Sequence, residues 1–207
     1  MNMRTKRERA RQNFRRRLGH ELLEDRRVMA YSDNVLALNP LLFWQFNEAG
    51  ATAPPVDSSP NGRTGTLVGN TTRAGNTARS GAGSAIVMDG SGDYIDLTNA
   101  SAALSAITTN NQVTVSFFLK NDATNPRNSY AFGANIPGRL SAHVTWSDSN
   151  LYWDAAACCG SDGRLSVGVN STQLKSQWNH IALVKDGTTD TQSIWLNGQQ
   201  IAVNNGS

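Results

Sequence analysis

Asn197-Gly198 separates two apolar runs, Gln192–Leu196 and Gln199–Val203. Both central positions of a two-residue β-turn need positive φ, which Asn and Gly accept most readily, so this pair predicts a tight antiparallel hairpin. A third apolar run, Trp178–Lys185, precedes it. Further upstream, Val113, Val115, Phe117 and Leu119 alternate with Thr114, Ser116, Phe118 and Lys120. A period of two marks a strand with one buried face. No window keeps apolar residues at i, i+3 and i+4 over a helix length, which excludes a helical bundle.

The rest of the chain from residue 38 reads in the same way. Short strands are expected at Leu41–Phe46, Thr64–Val68, Ser129–Gly133, Leu140–Trp146, Leu151–Asp154 and Leu165–Val169. Ala85–Met88 and Tyr94–Leu97 read as partners around Asp89-Gly90-Ser91-Gly92-Asp93, and Ser101–Ile107 as one turn of helix. Turn formers fill the gaps: Ala53–Gly62 holds Pro54, Pro55, Asp57, Pro60 and Asn61, and a flexible Gly/Asn/Ala stretch runs to Gly83. The predicted fold is all-β, a two-sheet antiparallel β-sandwich of the jelly-roll kind over residues 38–207, with 31–37 as a linker.

Charge divides the 207-residue chain at about residue 30. Residues 1–30 hold ten Arg or Lys and four acids, a net +6, whereas the body is slightly acidic at −3. A nucleic-acid binder needs basic residues spread over its folded face, which this body does not offer. No apolar stretch is long enough to span a bilayer as a helix. The leader also lacks the apolar core of an ordinary secretory signal. As a run of like charges it reads as a disordered arm.

Several ordered motifs carry a family resemblance. Trp44-Gln45-Phe46-Asn47-Glu48, Asp57-Ser58-Ser59-Pro60-Asn61-Gly62 and Thr64-Gly65-Thr66-Leu67 come first. Met88–Ile95, Val113–Lys120, Trp178–Val184 and Trp195–Gln199 follow in the same order. Together they resemble the laminin-G-like jelly roll of the concanavalin A-like lectin/glucanase superfamily. The resemblance implies two packed sheets, often a bound calcium, and binding of carbohydrate or protein outside the cell. Such domains continue past the Asn-Gly hairpin, so the resemblance also implies closing strands missing after Ser207: a truncated frame, a fragment, or a module completed by a partner. Leu18 with Glu21-Leu22-Leu23-Glu24-Asp25-Arg26-Arg27 and Ala30 is similar to a planctomycete-type N-terminal export motif, which implies secretion or display at a bacterial cell surface.

Candidate chemistry is sparse. Glycosidases of this architecture need paired carboxylates, yet Glu48 is the single Glu after the leader, and Asp93 and Asp96 read as turn and strand-edge residues. No Gly-x-Ser-x-Gly elbow is present, and His143 and His180 read as packed or surface histidines without zinc spacing. No catalytic residue is expected. Calcium is the one cofactor carried forward: the resemblance points to the loop of Asp57 and Asn61, which reads equally as an Asx turn closed on its own backbone. The adjacent Cys158 and Cys159 admit two thiols, a bridge to another chain, or a strained vicinal disulfide. Trp146, Tyr152 and Trp153 are candidates for stacking on sugar rings, with core packing as the alternative. The expected function is extracellular recognition of glycan or protein; a structural or adhesive domain comes second and a polysaccharide hydrolase last.

Overall fold

The computed structural model describes residues 31–74, 84–97, 101–122, 124, 127–134, 139–155 and 163–205. The leader and the Cys158-Cys159 pair lie outside the described residues. In chain order the elements are α1 (Tyr31–Ala37), β1 (Thr66–Val68), β2 (Thr72–Ala74), β3 (Ala85–Val87), β4 (Tyr94–Asp96), α2 (Ser101–Asn110), β5 (Gln112–Leu119) and β6 (Phe132–Ala134). They continue with β7 (Leu140–His143), β8 (Asn150–Ala155), β9 (Arg164–Gly168), α3 (Ser171–Leu174), β10 (Asn179–Asp186), β11 (Thr191–Leu196) and β12 (Gln199–Asn205).

Two four-stranded antiparallel sheets, ordered β12-β11-β10-β5 and β6-β7-β8-β9, form the sandwich. Its core is built by alternation. Ile181, Leu183, Ile194 and Leu196 from the first sheet meet Leu140, Ala142, Leu151, Trp153 and Leu165 from the second. Val113, Val115, Phe117 and Leu119 pack on this cluster, as their period of two predicts. Burying each large apolar side chain is worth about 1.5–3 kcal/mol. The indole of Trp153 also crosses between the sheets, its Nε1–H donating to the Val184 carbonyl at 3.1 Å. The Asn-Gly hairpin forms as expected, with φ of 51° at Asn197 and 80° at Gly198.

The N-terminal part departs from the strand reading. Leu41–Phe46 is not a strand; it makes one isolated bridge, Trp44 to Asp57. The Phe43 N–H, which a strand would pair, is bound at 2.9 Å by the Asp57 carboxylate, and Phe46 has φ of 58°, which ends any extended run. Ala85–Met88 and Tyr94–Leu97 are not partners either. β3 pairs with β2, inside the stretch read as flexible, and β4 pairs with β1. Residues 31–37, read as a linker, form the short helix α1, and the Tyr31 ring stands edge-on to Phe118 at 5.5 Å and Phe43 at 6.4 Å. α2 runs ten residues instead of one turn and stops at Asn111, whose φ is 50°.

Candidate functional site

The face of the β6–β9 sheet turned away from the core brings charged, polar and aromatic side chains together. Alternation again decides which residues appear there. With Leu140, Ala142, Leu151, Trp153 and Leu165 turned inward, Ser141, His143, Tyr152, Asp154 and Arg164 must face the other way. Register then brings them together, with Ser141 opposite Asp154, His143 opposite Tyr152, and Asp154 opposite Arg164.

Asp154 is the centre of a charged frame and is 0 % exposed. The Arg164 guanidinium grips it with two bonds, Nε to Oδ1 at 2.5 Å and Nη2 to Oδ2 at 2.8 Å. The Ser141 hydroxyl donates to Oδ2 at 3.1 Å, and Arg139 Nε stands 3.4 Å from the same oxygen. The bond to Asp154 pushes Arg164 up from its ordinary pKa, so this cation is permanent. Each arginine also lies against a tyrosine. Arg164 sits 4.7 Å from the centre of the Tyr152 ring, and Arg139 sits 5.4 Å from that of Tyr130 while donating to its hydroxyl at 2.8 Å.

His143 links the two arginine–tyrosine pairs. It is 3 % exposed, 4.4 Å from both Tyr130 and Trp146 by ring centres, and 6.1 Å from Tyr152. Its Nδ1 lies 2.8 Å from the Ser129 carbonyl, which can only accept, so Nδ1 carries the proton. Nε2 is then the acceptor for Arg139 Nη2 at 3.3 Å. Burial above all, helped by the two arginines, holds the histidine below its usual pKa and keeps the ring neutral. At the rim, the Tyr152 hydroxyl donates to Asp148 Oδ2 at 2.5 Å. That bond lowers the Asp148 pKa and raises that of Tyr152.

Two of the three proposed sugar-stacking residues, Trp146 and Tyr152, thus meet around His143. The third does not: Trp153 is 0 % exposed and belongs to the core, because its neighbour Tyr152 takes the outward position on β8. Tyr130, 59 % exposed, and the two arginines escaped the sequence reading. Strand alternation alone would have put Tyr152 with Asp154 and Ser141 with His143; what joins the pairs is register across β7 and β8, which no local pattern states.

Asp57 and Asn61 do not fit a calcium site. Asp57 Oδ1 accepts from the N–H groups of Phe43 and Ser59, both at 2.9 Å. Oδ2 accepts from the Ser59 hydroxyl at 2.7 Å and the Arg63 N–H at 2.8 Å. A carboxylate offers about four lone-pair positions, and here donors fill them all. Asn61 turns its amide nitrogen, itself a donor, to the carbonyls of Pro40 and Leu41 at 3.1 and 3.2 Å. Burial alone would raise the Asp57 pKa, but the N–H donors of Phe43 and Arg63 and both donors of Ser59 lower it. No group of three or more potential ligands among His, Cys, Asp and Glu occurs among the described residues.

Glu48, Asp93 and His180 are each engaged by neighbouring groups. Glu48 accepts from the Val56 N–H at 2.6 Å and pairs with Arg73 at 2.7 Å, while Arg73 also holds the carbonyls of Phe46, Gly50 and Ala53. Asp93 lies in the turn before β4 and accepts from the N–H groups of Asn70 and Asp89. His180 contacts the Ser116 hydroxyl at 2.8 Å on the outer side of the other sheet, where Trp195 is half-buried and its Nε1–H donates to the Ser193 hydroxyl.

No curated protein and no solved structure matches the chain. A family model does, over residues 89–207, more than half of the chain, and this span includes β5–β12 and the whole outward face just described. The chain therefore belongs to the laminin-G-like branch of the concanavalin A-like lectin/glucanase superfamily.

Proposed function

We propose that this protein is an extracellular, non-catalytic recognition module that binds carbohydrate on the outward face of the β6–β9 sheet. The observation that carries the reading is the convergence of Tyr130, Trp146 and Tyr152 on His143, beside two arginines fixed by one buried aspartate. Sugar rings present apolar C–H faces with hydroxyl edges. Aromatic rings cover the former, and guanidinium, hydroxyl and carboxylate groups bond the latter. Here the polar groups are already locked to one another, so little ordering is left to oppose binding. The superfamily's lectin members fit this reading.

The hydrolase alternative finds little support. The carboxylate of Glu48 is committed to Arg73 and Val56, and that of Asp154 to Arg164 and Ser141. Neither is placed as one half of an acid–base pair with room for a glycosidic bond. A protein ligand is the second reading. It is favoured by edge strand β12, which holds no charged residue or proline and exposes Val203. Export follows from the leader motif and would be checked by N-terminal sequencing of protein recovered outside the cell. Among the described residues, no helix is long and apolar enough to cross a membrane.

A screen of the full chain against immobilised plant, algal and bacterial polysaccharides tests the carbohydrate reading. Retention by at least one, reduced tenfold or more by Tyr152→Ala, is the expected result. Retention unchanged by Tyr152→Ala, or silence across the panel, would overturn it.

A further inference from the structure

His143 is buried although it lies on the side of the sheet turned away from the core. Among the described residues, its ring meets three aromatics, a backbone carbonyl and an arginine. From the segment before β6 come the Ser129 carbonyl and Tyr130. Arg139 reaches it from the start of β7, and Trp146 from just beyond that strand's end. From β8 come Tyr152 and, behind Ser141, Asp154; from β9 comes Arg164, held on Asp154. Asp148 acts one step away through the Tyr152 hydroxyl.

We propose that His143 is the positioning residue of the ligand-binding face: its neutral ring, donating at Nδ1 and accepting at Nε2, holds Tyr130, Trp146 and Arg139 in register, and its protonation releases them. The chemistry is one-sided. The Nδ1–H bond to Ser129 survives protonation. Nε2 changes from acceptor to donor, and it then faces the guanidinium of Arg139, which has only donors to offer. A third cation also joins Arg139 and Arg164 around the single buried carboxylate of Asp154. The nearest relief is for Arg139 to swing away, and Arg139 is what fixes the Tyr130 hydroxyl. Stacking is therefore lost in acid whatever the charge of the ligand.

This inference rests on the reading of the face as a ligand site, but its test needs no ligand, so failure to find a glycan leaves the result standing. Long-range ¹H–¹⁵N spectra of the full chain follow its three histidines, His20, His143 and His180, through a pH titration. His143→Gln, which keeps an acceptor near the Nε2 position, identifies the signal by its loss. The expected result is a neutral Nδ1–H tautomer that persists below the ordinary histidine value of about 6.5. Its protonation should coincide with a shift of the Trp146 indole signal, and that step should vanish in His143→Gln. An Nε2–H tautomer, or a titration that leaves Trp146 unmoved, would overturn the proposal. The wild-type titration decides it even if the variant does not fold.

Discussion

Arg164 grips Asp154 across one strand pair, with Nε on Oδ1 at 2.5 Å and Nη2 on Oδ2 at 2.8 Å. The two residues stand in register on β8 and β9. A bidentate guanidinium–carboxylate pair is the strongest kind of charged hydrogen bonding in proteins. It also explains how a fully buried carboxylate is tolerated on the outward face of a sheet. Breaking such a pair leaves a desolvated charge behind. Arg164→Ala should therefore destabilise the protein by about 3 kcal/mol in urea unfolding. Arg164→Lys should recover only part, since a lysine cannot make both bonds. A loss below ~1 kcal/mol would mean that Arg139 and Ser141 hold Asp154 without help.

Adjacent aromatics on β8 should behave as opposites. Trp153→Ala empties a site walled by both sheets and should cost about 3–5 kcal/mol. Tyr152→Ala faces outward and should cost much less, about 1 kcal/mol, with its effect appearing in ligand binding instead. Thermal and urea unfolding of the two variants makes the comparison. Equal destabilisation would place both rings in the packing.

Asp57 should give the fold an acid limit. Its folded-state pKa is lowered, so its stabilisation is full above the ordinary carboxylate value of about 3.9 and disappears as pH falls through the folded value. Unfolding free energy measured from pH 6 down to pH 2 should drop less steeply in Asp57→Ala than in the parent protein. The same four-donor geometry predicts that calcium and a chelator leave the parent's melting temperature alike. A calcium-dependent rise that Asp57→Ala abolishes would contradict the geometry.

Gly65 has no room for a side chain. A Cβ there would lie 2.7 Å from the Trp44 ring and 2.7 Å from Ile95 Cγ2, so the ring and β4 meet over bare backbone. Gly65→Ala should cost about 1–3 kcal/mol through overpacking. A neutral substitution would show that Trp44 can step aside.

Where interactions are local or periodic, the sequence was legible. The alternation of Val113–Leu119 and the Asn197-Gly198 turn each determine their own geometry, and both form as expected. Leu41–Phe46 has a strand's composition, but composition cannot show that a carboxylate fourteen residues away takes the Phe43 N–H. Partner choice failed at β3 and β4 for a similar reason, because each pairs with a strand upstream that no local pattern names. The candidate site was half legible. Trp146 and Tyr152 were singled out for their chemistry, but Trp153, one residue on, points into the core. Nothing local to His143 shows that Tyr130 and Arg139 are brought to it from other positions in the chain.

Indole ¹H–¹⁵N signals of the five tryptophans, recorded as a retained polysaccharide fragment is titrated in, give the most direct test of the binding face. The account predicts that the Trp146 signal moves with saturation, while buried Trp153 and Trp195 on the opposite sheet stay fixed. Movement of Trp195 with Trp146 still would place the ligand on the other side of the sandwich and contradict it.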